Sequence, residues 1–203
     1  MSQSAALEQV DERKRRFLLA ASSTVGGIAT VAIAWPFIAS MKPSQRAQAA
    51  GAPVEVDVSK IEPGSYVTVE WQGKPVWVVN RTKEMMEKLP SVAALLADPG
   101  SESSKQPEYA KNLTRSDPKY PNVLVVLGVC THLGCSPTYR KEVGAADLGA
   151  DWPGGFFCPC HGSKFDMAAR VFKGVPAPSN LEVPPYTYLS DARLLVGEKR
   201  KGS

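Results

Sequence analysis

Every cysteine and both histidines of this 203-residue chain fall between Cys130 and His161. They lie in two short boxes, Cys130-Thr131-His132-Leu133-Gly134-Cys135 and Cys158-Pro159-Cys160-His161-Gly162-Ser163. Nothing outside that window supplies a thiolate ligand, an imidazole ligand or a histidine base. Each box offers one Cys and one His close enough to converge on a single metal centre, as C-x-H and then C-x-x-H. Cys135 and Cys160 remain as a further pair, one from each box.

Several chemistries use such residues. A Cys2His2 set binds zinc, but its usual spacing opens with two cysteines a few residues apart. Here each box mixes Cys with His, and a mononuclear site leaves two cysteines without a role. A thiol oxidoreductase uses C-x-x-C beside a βαβ unit. This chain has C-x-C and lacks that alternation. Two ordinary core histidines do not account for all Cys and His crowding into two boxes. The formal net charge of +4 sits in the ends, at Arg13-Lys14-Arg15-Arg16 and Lys199-Arg200-Lys201. No basic face interleaved with aromatics marks a nucleic-acid binder. A hydrophobic content of 43% is enough to bury a core, so most of the chain is not disordered.

The elements that hold the boxes are mainly β. From Val54 the pattern alternates through VEVDV, YVTVEW and PVWVVN, with Pro63-Gly64 and Gln72-Gly73 as turns. Trp71 and Trp77 read as core residues of these strands. Thr82–Ala97 is the one helical stretch, broken at Pro90, and 98–120 is polar loop. Asn122–Val129 is a buried strand that runs straight into Cys130. After His161 come Lys164–Val171, a Pro-rich segment over 174–185 and a last strand at Arg193–Val196.

The front end is different. Residues 1–16 form a polar arm that closes on the basic cluster. Phe17–Met41 carries no charge. At about 1.5 Å per residue it reaches about 37 Å, enough to cross a hydrocarbon core of about 30 Å. Trp35 lies near its far end, where an indole meets the interface. The basic cluster keeps the arm cytoplasmic and sends the rest of the chain to the outer side. Lys-Arg-Arg-Phe-Leu also resembles a twin-arginine export signal, a route that carries folded proteins. Ala47-Gln48-Ala49 offers a small-residue cleavage site, but the apolar run is longer than a signal core, which favours a retained anchor. Residues 42–53 read as a flexible tether, and 54–203 as the head.

The two boxes, CTHLGC and CPCHGS, closely resemble the signature strings of the Rieske family. That family holds a [2Fe–2S] centre with two Cys on one iron and two His on the other. The resemblance implies that Cys130 and Cys158 are thiolate ligands and that His132 and His161 are imidazole ligands. It implies a disulfide between Cys135 and Cys160, closing a loop of about 26 residues for about 3–4 kcal/mol in an oxidising compartment. The chemistry has its own logic. Two ferric ions are balanced by two sulfides and two thiolates, so the oxidised centre is neutral and accepts an electron more readily than a four-thiolate cluster. A metal-bound imidazole can also release or take up its second ring proton, so electron and proton can travel together.

Further strings, Ala97-Asp98-Pro99, Gln106-Pro107-Glu108-Tyr109, Gly174-Val175-Pro176-Ala177-Pro178 and Asn180-Leu181, resemble the iron–sulfur subunits of bacterial ubiquinol–cytochrome c reductase, the cytochrome bc1 complex. The resemblance implies an antiparallel β-sandwich head with a small cluster-binding subdomain after one transmembrane helix. It implies a bacterial inner-membrane protein with its head on the periplasmic side, in a dimeric complex. It implies that ubiquinol is oxidised beside the cytochrome b subunit, that the head swings on its tether, and that cytochrome c1 receives the electron. His161 or His132 bonds the quinol hydroxyl, with His161 favoured by family precedent, and Leu133 is an apolar contact at the tip. Gly174 and Pro176 belong to a third loop over the cluster. Ser163 matches the family serine that donates to a bridging sulfide. Where many members have a tyrosine donating to a ligand sulfur, this chain has Phe165, which implies a lower midpoint potential. The other expectation is the small Rieske subunit of a periplasmic oxidase such as arsenite oxidase, which needs no swinging tether.

Overall fold

The computed structural model describes residues 11–45 and 51–198. The basic tail 199–201, the sites Ala47 to Ala49 and part of the expected tether lie outside the described residues. The chain divides into two compact units, Met1–Arg46 and Ala47–Ser203.

In the first unit, helix α1 spans Glu12–Ser40. It begins ahead of the apolar run because Asp11 caps it: the carboxylate accepts from the main-chain N–H groups of Arg13 and Lys14 at 3.0 and 3.2 Å. Capping of this kind satisfies amides that have no partner inside the helix. Arg, Lys and Glu then propagate the helix into the apolar segment. The helix is long and apolar enough to cross a membrane, and Phe17, Ile28, Ile33 and Trp35 are all exposed on it. That surface suits lipid rather than water.

Among the described residues, the second unit contains three antiparallel sheets of three strands each. In chain order the strands are β1 (Val54–Asp57), β2 (Ser65–Trp71), β3 (Lys74–Asn80), β4 (Val123–Leu127), β5 (Thr138–Arg140), β6 (Gly155–Cys158), β7 (Ser163–Phe165), β8 (Tyr186–Ser190) and β9 (Arg193–Val196). One sheet runs β1-β9-β8 and closes the two ends of the unit, with Val54 opposite Val196. A second runs β2-β3-β4 around a tight turn at Gln72-Gly73, where both residues have positive φ. The third, β5-β6-β7, carries the second box. All of the expected antiparallel, mainly β character is present.

The second and third sheets meet through aromatic rings. Trp77 on β3 stacks on Phe156 of β6 with centroids 5.5 Å apart, and Phe156 also meets Tyr139 at 5.5 Å. Both tryptophans expected in the core, Trp71 and Trp77, are buried. Strand β4 is buried at all five positions and leads through Gly128 into Cys130. A Cβ on Gly128 would run into the Trp77 indole, so the chain entering the first box is packed directly against the core.

The helical expectation over Thr82–Ala97 holds only at its start. Helix α2 spans Lys83–Glu87, capped by Thr82, and the remainder is turns with a single 3-10 turn at Ala93–Leu95. Leu89, Val92 and Leu96 are all buried, and Leu96 makes a β-bridge to Phe172. Anchoring to the core and Pro90 override the helical period here.

Candidate metal centre

The two boxes are built alike. In each, the glycine four residues after the first cysteine donates its N–H back to that cysteine: Gly134 to the Cys130 carbonyl at 3.0 Å and Gly162 to the Cys158 carbonyl at 2.9 Å. Both glycines have positive φ, +83° and +77°, a region open to glycine at no steric cost. Each box is therefore a tight loop that turns its side chains to one end of the unit. Cys130 leaves β4 and Cys158 ends β6, so both first cysteines are rooted in strands and buried. The histidines lie further out: His132 is half-buried and His161 exposed. Leu133, next to His132 in the first box, is 72% exposed.

Cys135 and Cys160 form a disulfide that joins the loops. Cys130 and Cys158 remain free thiols. The sulfurs of Cys135, Cys158 and Cys160 lie within 4.8 Å of one another, but two of them are bonded together and have no thiolate to offer a metal. The open donors are thus two buried sulfurs and two imidazoles, and the imidazole rings meet edge to face with centroids 4.8 Å apart.

This donor set fits an iron–sulfur group with mixed ligation. His132 Nδ1 is buried and has no hydrogen-bond partner among the described residues. A buried unpaired nitrogen costs about 1–3 kcal/mol, and coordination of a metal removes that cost. Burial pushes the Cys130 thiol up from its ordinary value, the main-chain N–H of His132 opposes that rise, and the neighbouring Cys158 thiol adds to it. The buried Cys130 thiol resists ionising on its own, and a cation beside it reverses this, since thiolates are the binding form.

Support comes from a third segment. The Ser163 hydroxyl is fully buried, touches Cys130 and accepts the Ala177 N–H at 3.0 Å. The Thr131 hydroxyl donates to the Ser179 carbonyl at 2.7 Å. Both bonds tie the Pro-rich loop to the boxes, with Gly174 and Pro176 at its exposed edge. Phe165 is buried, opposite Phe156 in the register of β6 and β7.

The sequence carried no signal for the charged layer behind β7. Asp166 and Arg170 form a fully buried ion pair at 2.6 Å. Arg81 donates to the Met167 carbonyl at 2.9 Å and Arg115 to the Ala169 carbonyl at 3.1 Å. Burial pulls both guanidiniums down to about 10, and Asp166 holds them up, so both stay charged at neutral pH. Three arginines thus grip the turn 166–170. Arg81 and Arg115 reach it through distant main-chain carbonyls, which leave no pattern in the sequence, whereas Arg170 bonds the Asp166 carboxylate four residues away.

Residues 52–186 match the Rieske [2Fe-2S] domain family, and residues 5–44 match the family described as "Ubiquitinol-cytochrome C reductase Fe-S subunit TAT signal". The chain is 58% identical to the ubiquinol-cytochrome c reductase iron-sulfur subunit of Allochromatium vinosum, over 94% of this chain and 91% of the relative. It is 40% identical to the subunit of the same name from Blastochloris viridis, over 95% and 97%. Among solved structures, a chain described as "Hyperthermophilic respiratory Complex III" covers 88% of this chain and 98% of itself at 26% identity and a TM-score of 0.45.

Proposed function

The chain belongs to the Rieske family, among the iron–sulfur subunits of ubiquinol–cytochrome c reductase, and on that premise we propose how its own residues share the work. It is an electron-transfer subunit of that oxidoreductase complex, with one N-terminal membrane helix. In the proposed division of labour, Cys130 and Cys158 hold one iron as thiolates and His132 and His161 hold the other through imidazole nitrogens. When bound, the [2Fe–2S] group supplies one-electron redox chemistry at a higher potential than an all-thiolate cluster.

His161 is the exposed imidazole. Its outer ring nitrogen accepts a hydrogen bond from the quinol hydroxyl and then the proton. His132 sits deeper and serves chiefly as an anchor. Leu133 presses its exposed side chain against the apolar wall of the quinol pocket and keeps water from the bonded pair. The disulfide and Ser163 keep the two loops from spreading when charge changes. We assign the pocket to the cytochrome b subunit and the electron's destination to cytochrome c1, with ubiquinol as donor. Residues 1–16 stay cytoplasmic, 17–41 anchor, 42–53 act as hinge, and 54–203 form a periplasmic head within a dimeric complex. The basic cluster before the apolar run and the export-signal match support that orientation. The periplasmic oxidase reading is not favoured, because relatives that cover nearly all of this chain carry the reductase name.

The observation that carries the assignment is the convergence of two free buried thiols with two touching imidazoles. The test is purification of the complex from membranes. The expected result is co-purification with b- and c-type haems and a paramagnetic resonance signal on reduction that His161→Ser abolishes along with quinol oxidation. A colourless, zinc-bearing chain, or normal turnover in His161→Ser, would overturn it.

A further inference from the structure

The string Ala97-Asp98-Pro99 and the pair Asn180-Leu181 supply no donor to the metal centre, yet they are joined. The Asp98 carboxylate accepts from the Glu102 N–H at 2.7 Å, the Ser103 N–H at 3.2 Å and the Ser104 hydroxyl at 2.6 Å. The proton of Ser104 is thereby committed to Asp98, and its oxygen accepts the Asn180 N–H at 3.0 Å. Asn180 is 1% exposed. Its Oδ1 accepts the Val171 N–H at 2.8 Å, and its Nδ2 donates to the Asp98 carbonyl at 3.0 Å and to Ser101 Oγ at 2.9 Å. Every hydrogen on that amide is used.

Asn180 therefore nails down one end of the segment 177–180. The other end gives the Ala177 N–H to Ser163 Oγ, and the Ser179 carbonyl between them holds Thr131. A hydroxyl has one proton and two lone pairs. With one lone pair of Ser163 filled by Ala177 and the side chain sealed from water, its proton turns to the sulfur side, where Cys158 stands directly across from it in the register of β6 and β7. A donor aimed at that sulfur favours the more negative, reduced state.

We propose that Asn180, held by Asp98 and Ser104, is a positioning residue for the Ser163 hydroxyl and so raises the reduction potential of the centre. This rests on the ligand assignment given under Proposed function. Asn180 touches no reacting atom and acts only through the Pro-rich loop.

Asn180→Ala leaves the buried Val171 N–H and Ser101 Oγ without their side-chain partner, so Ser104→Ala, at a half-buried position, carries the test. The measurement is a redox titration of the paramagnetic signal in the intact membrane complex. Ser104→Ala lowers the reduction equilibrium constant by about three- to tenfold, tenfold being 59 mV for one electron. Ser104→Thr keeps the hydroxyl and restores the original value. In a Ser163→Ala background Ser104→Ala adds no further shift, as expected of coupled residues. An unshifted potential in Ser104→Ala, or an equal shift with and without Ser163, overturns the proposal while leaving the ligands in place. Absence of any reduced-state signal from the unsubstituted complex instead overturns the ligand assignment.

Discussion

Ser163 stands directly across from Cys158 in the antiparallel register of β6 and β7. Side chains two apart on a strand share a face, so Phe165 lies on the Ser163 side of β7, whereas Lys164 turns the other way, over the Trp152 ring. The strand thus offers two positions toward the centre and fills only one of them with a hydrogen-bond donor.

Phe165→Tyr tests that arrangement. A hydroxyl placed on this face gives a hydrogen bond to a charged acceptor, worth about 1.4 kcal/mol. The midpoint potential is expected to rise by about 60 mV for one electron, read by redox titration of the complex. A potential that stays or falls would show that residue 165 does not address a ligand sulfur.

Two carboxylate–arginine pairs, one buried and one exposed, should behave oppositely. Asp166 and Arg170 are buried, at 1% and 0% side-chain exposure, whereas Asp147 is 59% exposed beside Arg140. Asp166→Asn leaves a buried guanidinium without its counter-charge and is expected to cost about 3–5 kcal/mol. Asp147→Asn is expected to cost about 0–1 kcal/mol, although its bond to Arg140 is bidentate. Urea unfolding of the chain in detergent, followed by circular dichroism, separates them. Equal costs would contradict the placement of the arginine layer.

Alkaline stability follows from the buried phenols. Burial pushes Tyr139 up to about 12 and raises Tyr186 and Tyr188 as well. Between an unfolded value of about 10 and about 12 the folded chain retains a proton at Tyr139 that the unfolded chain has lost. Stability from this residue is present in full below about pH 10 and is lost as pH rises through about 12. Tyr139→Phe is expected to lower stability at neutral pH slightly, by loss of the bond to the Gly64 carbonyl at 3.2 Å, and to make the alkaline decline shallower. An unchanged slope between pH 10 and 12 would place the Tyr139 hydroxyl in water.

The donor set was legible from residue types alone, because thiols and imidazoles have few other uses when gathered so closely, and a loop of four or five residues already fixes their reach. The membrane helix was legible too, since length and lack of charge determine it without a partner. Strands β1 and β2 showed the period-two alternation of a sheet with one wet face, whereas β3, which reads as alternating with them, is buried at four successive positions. Strands β5, β6 and β7 did not: TYR, GFFC and SKF are too short to show any period. Only the folded chain determined that Thr82–Ala97 yields a five-residue helix, because Leu89, Val92 and Leu96 follow the core they meet and not the helical repeat. Only the folded chain joined Asn180 to Asp98 and set Arg81, Arg115 and Arg170 around one turn. Those bonds run between groups about eighty positions apart or end on main-chain carbonyls, and every residue carries a carbonyl. Local chemistry is written in side-chain type, whereas such pairings exist only once burial has removed water as the competing partner.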